Sequence, residues 1–307
     1  MDKRVFLTKG KNDIVVSGNY GDGIYASPVY RFDNKLCKIT ANLCVMFNLP
    51  ILKWFLGNWS RELSSYDLII CEGLKRRSWV FEYILKNKRS DTRLVMWHWN
   101  KIFKYEISPD SELASKCEQW SFDPGDCKKF YMNYNTQYFA TISIPFDAEI
   151  KWDLYFLGAD KGRKSLLEKI KTLCEYAGIS TYFHIIADEN SSDNSDAIIG
   201  YMAPISYDKN IENVSHCKVI VDLPLEGQDG LTLRVMEALY LGKKLISFNQ
   251  KVRELPFYNS QNIMVCDSKD KIDTVKLKSF LCEPYQETKE CKEAKMYYSF
   301  QEWMKRF

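Results

Sequence analysis

The chain has 307 residues, enough for two domains of ordinary size, each with its own core. An apolar share of 46% is that of a globular protein and excludes long disorder. With 43 basic against 40 acidic residues the net charge is +3, too balanced for binding driven by bulk charge, so no nucleic-acid partner is expected.

The ten cysteines are scattered without a C-x-x-C pair and there are only three histidines, so no zinc site is expected. Several cysteines sit inside apolar runs, as Cys71 does in YDLIICEG, and read as reduced core thiols of a cytoplasmic protein. The opening MDKRVFLTKGKND has no apolar signal core. The most apolar long segment, residues 41–57, is interrupted by Asn48, Pro50 and Lys53, which predicts a soluble or peripheral protein.

Residues 1–65 show no clear alternation. The glycines of GNYGDG, residues 18–23, do not space as G-x-G-x-x-G and predict a turn. Alternation starts at YDLIICEG, residues 66–73, an apolar run ending in Glu72. The helical WVFEYILKNK and the strand RLVMWHWN at 93–100 follow, and this order predicts a parallel sheet. Ligands meet such sheets at the carboxyl ends of strands, where Glu72 and the group His98-Trp99-Asn100 are expected. WSFDPGDCKKF, residues 120–130, reads as a turn, with Asp123 and Asp126 either capping it or available for chemistry.

The second half opens with a strand at 153–159, the loop DKGRK, an amphipathic helix to about Tyr176 and a strand at 181–186. Lys161, Arg163 and Lys164 oppose the dipole at that helix start. A bound anion would offset the cost, and Gly162 leaves room for one. ENSSDNSD at 189–196 is a polar loop, and KVIVDLP is a strand leading into GQDGLTLRVMEALYLGKKLIS, residues 227–247. That stretch reads as a glycine-bearing turn, a helix of about three turns, a glycine stop with two lysines, and a short strand. With Asp229 as the acidic N-cap, Gly230, Arg234, Glu237 and Leu241 share one stripe. Free amides from Gly230 to Thr232 suit phosphate oxygens, with Arg234 as a forked donor and Glu237 accepting from sugar hydroxyls. The same spacing also suits a surface helix with an ordinary Arg–Glu pair. A strand at 262–266 and a charged, aromatic tail at 287–307 complete the chain.

The stretch resembles the C-terminal nucleotide-binding segment of GT-B glycosyltransferases, in which an acidic residue, seven intervening residues and a glutamate precede A-x-x-x-G-K-x-h-I. Here those positions are Asp229, Glu237, Ala238, Gly242 and Lys243. The chain departs from the pattern with Asp229 for the usual glutamate and Gly230-Leu231 for glycine-phenylalanine. Together with YFLGADKGR, WSFDPGDCKKF and W-H-W-N, residues 66–266 are similar to bacterial glycosyltransferases that build lipopolysaccharide or capsule.

The resemblance implies an α/β fold of two Rossmann-like, doubly wound domains facing a cleft. It implies an acceptor domain at 1–148, a nucleotide-sugar domain at 149–285 and a terminal helix at 286–307 crossing back. It also implies a nucleotide-sugar donor gripped by Lys161, Arg163, Asp229, Gly230, Thr232, Arg234 and Glu237. No metal or other cofactor is expected. The implied acceptor is an amphiphilic glycan at the cytoplasmic face of the inner membrane. An inverting reaction needs a base from the first domain, for which His98, Glu72 and Asp123 compete; a retaining one needs none. LKRRSW at 74–79, LPILKWFLGNW at 49–59 and WMKRF at the end suit contact with anionic lipid, or equally a domain face. Two rivals stand. A sugar-nucleotide epimerase or dehydrogenase would want a glycine fingerprint near the first strand, which is missing. A catalytically silent protein of the same fold would use Arg234 and Glu237 only to pair with each other.

Overall fold

The computed structural model describes residues 2–10, 13–31, 35–47, 49–103, 105–140, 148–189, 191, 197–267 and 272–307. Most of ENSSDNSD falls outside these. The chain divides into two compact α/β units, Met1–Thr136 with Phe300–Phe307, and Gln137–Ser299.

In the first unit, strands β1 (Arg4–Thr8), β2 (Gly18–Asn19), β3 (Ile24–Pro28), β4 (Leu68–Glu72), β5 (Arg93–His98), β6 (Glu118–Ser121) and β7 (Asn133–Tyr134) form one sheet. Its order is β2-β3-β1-β4-β5-β6-β7, parallel except for β2 against β3. All five residues of β4 are buried, as expected of a strand covered on both faces. Val5, Leu7, Ile69, Cys71, Leu94 and Met96 pack against Val80, Phe81 and Ile84 of helix α2, Ser78–Asn87. Helix α1, Lys35–Met46, lies between β3 and β4 in the chain. The expected strand, helix, strand unit from residue 66 is present. The chain leaves β1 for β3 on one side and returns to β4 on the other, so the sheet's crossover point lies between β1 and β4.

Two expectations are corrected here. WSFDPGDCKKF is a strand end followed by helix α3, Pro124–Phe130, because Asp123 accepts from the amide of Asp126 and Pro124 occupies the first helical position. WMKRF is core and not a lipid-facing surface. Trp303, Met304 and Phe307 are buried, Trp303 lies edge-on to Phe6 and Trp97 at 5.7 and 5.1 Å, and its indole donates to the Thr136 carbonyl at 2.8 Å. Within LKRRSW, Arg77 is likewise buried, against Glu72.

The second unit is a five-stranded parallel sheet of order β12-β11-β10-β8-β9. Its strands are β8 (Trp152–Ala159), β9 (Thr181–Ile186), β10 (Cys217–Asp222), β11 (Lys244–Ser247) and β12 (Ile263–Val265). Its helices include α4 (Lys164–Tyr176), α5 (Tyr207–Ser215), α6 (Leu233–Leu241), α7 (Thr274–Cys282) and α8 (Lys289–Tyr297). Here the order reverses at β8, with β9 on one side and β10 on the other. Leu154, Phe156, Val219, Val221 and Ile246 meet Leu167, Ile170 and Cys174 of α4 in the core. Gly242 ends α6 in the left-handed conformation, φ 60°, the predicted glycine stop.

The division between the units falls at Thr136/Gln137 and not after residue 148. The tail splits as well, α8 belonging to the second unit and helix α9, Phe300–Lys305, to the first. Among the described residues no helix is long and apolar enough to cross a membrane. Cys44, Cys71, Cys127, Cys174, Cys217, Cys266 and Cys291 are buried free thiols, and Cys117 and Cys282 are free thiols that are not buried.

Candidate functional site

In the second unit the polar residues gather at the carboxyl ends of β8, β10 and β11, on the crossover point. Arg163 caps α4 in sequence, but its guanidinium turns back over the sheet. It donates to the carbonyls of Leu223 (2.8 Å), Asp160 (3.2 Å) and Ala159, so one side chain ties the ends of β8 and β10 together. It lies 5.3 Å from the Phe156 ring centre, a cation–π contact. Burial pulls its pKa below the ordinary value; Asp222 opposes this and Arg234 adds to it, which sets the two guanidiniums in each other's field. DKGRK is therefore not simply a solvated loop. Lys161 is its exposed part, with a left-handed backbone (φ 45°) and its amide donating to Asp188 at 2.6 Å. Lys164 is buried, with its ammonium 3.9 Å from the Tyr201 ring centre.

Gly158 makes room for this arrangement. A Cβ there would stand 2.8 Å from Arg163 Nη2 and 3.0 Å from the Phe156 ring. Gly158→Ala is expected to push the guanidinium off the strand ends, costing about 1–3 kcal/mol of stability by overpacking. Affinity for any phosphate-bearing ligand held at these strand ends should fall roughly tenfold, about 1.4 kcal/mol. Titration calorimetry checks this, and an unchanged dissociation constant would remove Arg163 from the ligand site.

The helix of the 227–247 stretch starts later than its acidic residue suggests. Thr232, not Asp229, is the N-cap of α6: its hydroxyl accepts from the Arg234 amide at 3.2 Å and donates to Asp222 Oδ1 at 2.6 Å. Asp229 is exposed in the loop before the helix and Gly230 is buried there. Asp222, wholly buried at the end of β10, also accepts from Ser247 at 2.6 Å; burial raises its pKa while the two hydroxyls work against this. Arg234 and Glu237 do share a face, but they meet each other. Arg234 Nη1 bridges to Glu237 and lies 3.4 Å from Asn210 Oδ1, while Asn210 Nδ2 donates to the other Glu237 oxygen at 2.9 Å. Glu237 is fully buried, whereas the Arg234 side chain keeps 17% of its surface exposed. Burial opposes the Arg234 charge, yet Glu237 and the neighbouring tyrosines hold its pKa above the ordinary value. Both hydrogen bonds use Nη1, and a guanidinium carries five donors. Lys243 of the motif donates to the Ser215 and Cys217 carbonyls, both at 2.8 Å, at the amino end of β10. It is a brace remote from the carboxyl ends.

In the first unit Glu72 and His98 both stand at carboxyl ends, as expected. Glu72 ends β4 at the crossover point, 3.1 Å from Lys9 Nζ and 3.5 Å from Arg77 Nη1. Asp13 shares this cluster, and burial, then Glu72, raises its pKa. His98 is wholly buried at the end of β5, its Nδ1 3.5 Å from Glu106 Oε2. Among the described residues neither ring nitrogen has a hydrogen-bond partner, which in a buried imidazole calls for an explanation. Gly73 is needed beside it, since a Cβ would come within 2.8 Å of the ring. Asp123 is fully buried and committed to capping α3, while burial raises the pKa of its neighbour Asp126. Sequence reading missed Lys9, Asp13, Glu106, Asn210 and Asp222. Asp222 carried the same signal as Glu72, an acidic residue ending an apolar run.

No protein-family model and no curated protein matches the chain. Among solved structures it is similar to TarM (12% identity, TM-score 0.49), over 78% of this chain and 53% of that one. It is also similar to a glycosyltransferase from Rickettsia africae (9%, 0.44), over 89% of this chain and 80% of the other. A third is the UDP-GlcNAc 2-epimerase of Methanocaldococcus jannaschii (12%, 0.44), over 96% and 98%. These names span a transferase and an epimerase, so the choice of chemistry rests on the residues.

Proposed function

We propose that the chain is a GT-B glycosyltransferase that moves a hexosyl or deoxyhexosyl group from a nucleotide-diphosphate donor to a lipopolysaccharide-core or capsule acceptor. A rhamnose side residue of the core is the specific transfer we favour. Donor binding is assigned to the second unit and acceptor binding to the first, at the cytoplasmic face of the inner membrane. The observation that supports the reading most is the gathering of Arg163, Arg234 and the start of α6 on the crossover point of a parallel sheet, where such folds take phosphate-bearing ligands.

The reading assigns stabilisation of the departing diphosphate to these fixed donors and cations, with Lys161 at the exposed edge and with no metal or other cofactor. Glu237 is assigned as the residue that positions Arg234 and does not itself contact sugar, since its two carboxylate oxygens are taken by Arg234 and Asn210. For an inverting transfer the base is assigned to His98, with Glu72 second.

The Arg234–Glu237 pair also favours a second reading, a silent binding protein in which the two residues only hold the fold. Composition and linkage analysis of the surface glycan from a strain lacking the protein separates them. Loss of one sugar residue is expected, and an unaltered glycan would overturn the transferase reading.

A further inference from the structure

Asp222 ends β10 and is wholly buried, at the strand ends to which the donor diphosphate is assigned. A buried carboxylate is costly to desolvate and repels phosphate, so its presence there calls for a role. It does not neutralise the nearby cations by contact. Arg163 and Arg234 act on it electrostatically, but both of its oxygens accept from hydroxyls, Oδ1 from Thr232 and Oδ2 from Ser247, each at 2.6 Å.

A hydroxyl has one proton, and in each of these two it points at Asp222. Only lone pairs are left for other partners, and each hydroxyl takes a backbone amide: Thr232 that of Arg234 at 3.2 Å, Ser247 that of Asn249 at 3.1 Å. One carboxylate therefore sets how two segments start. The first is α6. The second is the short helical turn Gln250–Glu254, which Asn249 caps by accepting from the Lys251 amide at 3.0 Å. The residue after Asp222 holds a further part of the site, since the Leu223 carbonyl accepts from Arg163 Nη1 at 2.8 Å. Asp222 by its side chain and Leu223 by its backbone thus tie the α6 start and Arg163 to one strand end.

We propose that Asp222 is a positioning residue for the phosphate-bearing ligand: through the Thr232 hydroxyl it holds the start of α6 at the strand end that Arg163 also grips. It touches no ligand itself, and Ser247 completes its hydrogen bonding. The inference rests on the assignment of the donor diphosphate to this site, and its test needs no sugar transfer.

The test is titration of the full chain with inorganic pyrophosphate followed by phosphorus NMR, with urea denaturation of every variant. Asp222→Asn removes a charge that repels the ligand, so electrostatics alone would tighten binding. A loss of about tenfold is expected instead, because the amide presents a donor to one of two hydroxyls that now donate. Thr232→Ala should lose about as much, and the double variant no more than either, since the two residues act in series. Unchanged affinity in Asp222→Asn would overturn the proposal, as would losses that multiply to about a hundredfold in the double variant. Ser247→Ala takes a hydroxyl from the same buried carboxylate without touching α6, so it should lose stability while affinity stays within about twofold. If it weakens pyrophosphate as much as Asp222→Asn does, Asp222 serves the fold in general and the proposal falls. Should Asp222→Asn not fold, Thr232→Gly carries the test: glycine caps a helix nearly as well as threonine but cannot donate to Asp222, so a loss of about tenfold is expected and unchanged affinity overturns the proposal. Wild-type protein that binds no pyrophosphate would overturn the donor-site assignment together with the proposal, whereas binding with the wrong pattern among the variants overturns the proposal alone.

Discussion

Arg234→Ala is expected to abolish sugar transfer and to destabilise the second unit by about 3–5 kcal/mol, because it strands a fully buried carboxylate. The spacing in sequence offers Arg234 to phosphate and Glu237 to sugar hydroxyls, or both to an ordinary surface pair; burial of Glu237 makes the pair a matter of stability as well. Asn210 alone cannot compensate for the missing cation, since it supplies a single neutral donor to Glu237. The informative partner is the double variant Arg234→Met, Glu237→Leu, which fills the space with apolar groups and should recover most of the stability. If Arg234 grips the donor, the double variant folds but stays inactive. If transfer returns with stability, measured by urea denaturation beside an activity assay, the pair serves the fold alone.

His98→Ala is expected to lower kcat by about 10²–10⁴ with little change in donor KM, the loss typical of a missing general base in an inverting reaction. The imidazole is buried at the end of β5 with both nitrogens unpartnered among the described residues and Glu106 close by. His98→Gln keeps volume and polarity without the base, and separates the chemical role from filling of the site. A mild loss in both variants, with a deep loss in Glu72→Gln, would move the base to the β4 end. Asp123→Asn should matter least for chemistry, since its side chain is engaged in starting α3.

Legibility in the sequence followed how continuously an element is covered. The strands ending in Glu72, His98, Ala159 and Asp222 are readable because each contains at least three consecutive buried, mostly apolar residues. The first strand, RVFLT, lies inside its sheet between β3 and β4, yet it is five residues between charged neighbours and shows no alternation. Missing it hid Lys9 and Asp13, which follow it directly and meet Glu72. Asp-Pro-Gly suits a turn and the start of helix α3 alike, and seven residues are too few to show a period.

The start of α6 is ambiguous in sequence for a different reason. Asp229 and Thr232 are both good caps, and what decides between them is the Thr232 hydroxyl reaching Asp222, ten residues back on another element. Likewise the three cations at 161–164 look alike in sequence. Only the space left by Gly158 shows that Arg163 folds inward over the strand ends while Lys161 stays outside.

Titration calorimetry of the intact chain with UDP-, dTDP-, GDP- and CMP-sugars tests the central claim most directly. The account predicts that one donor series binds at one site per chain, with affinity reduced in Gly158→Ala. No heat with any of the four, from protein that unfolds cooperatively, would contradict it.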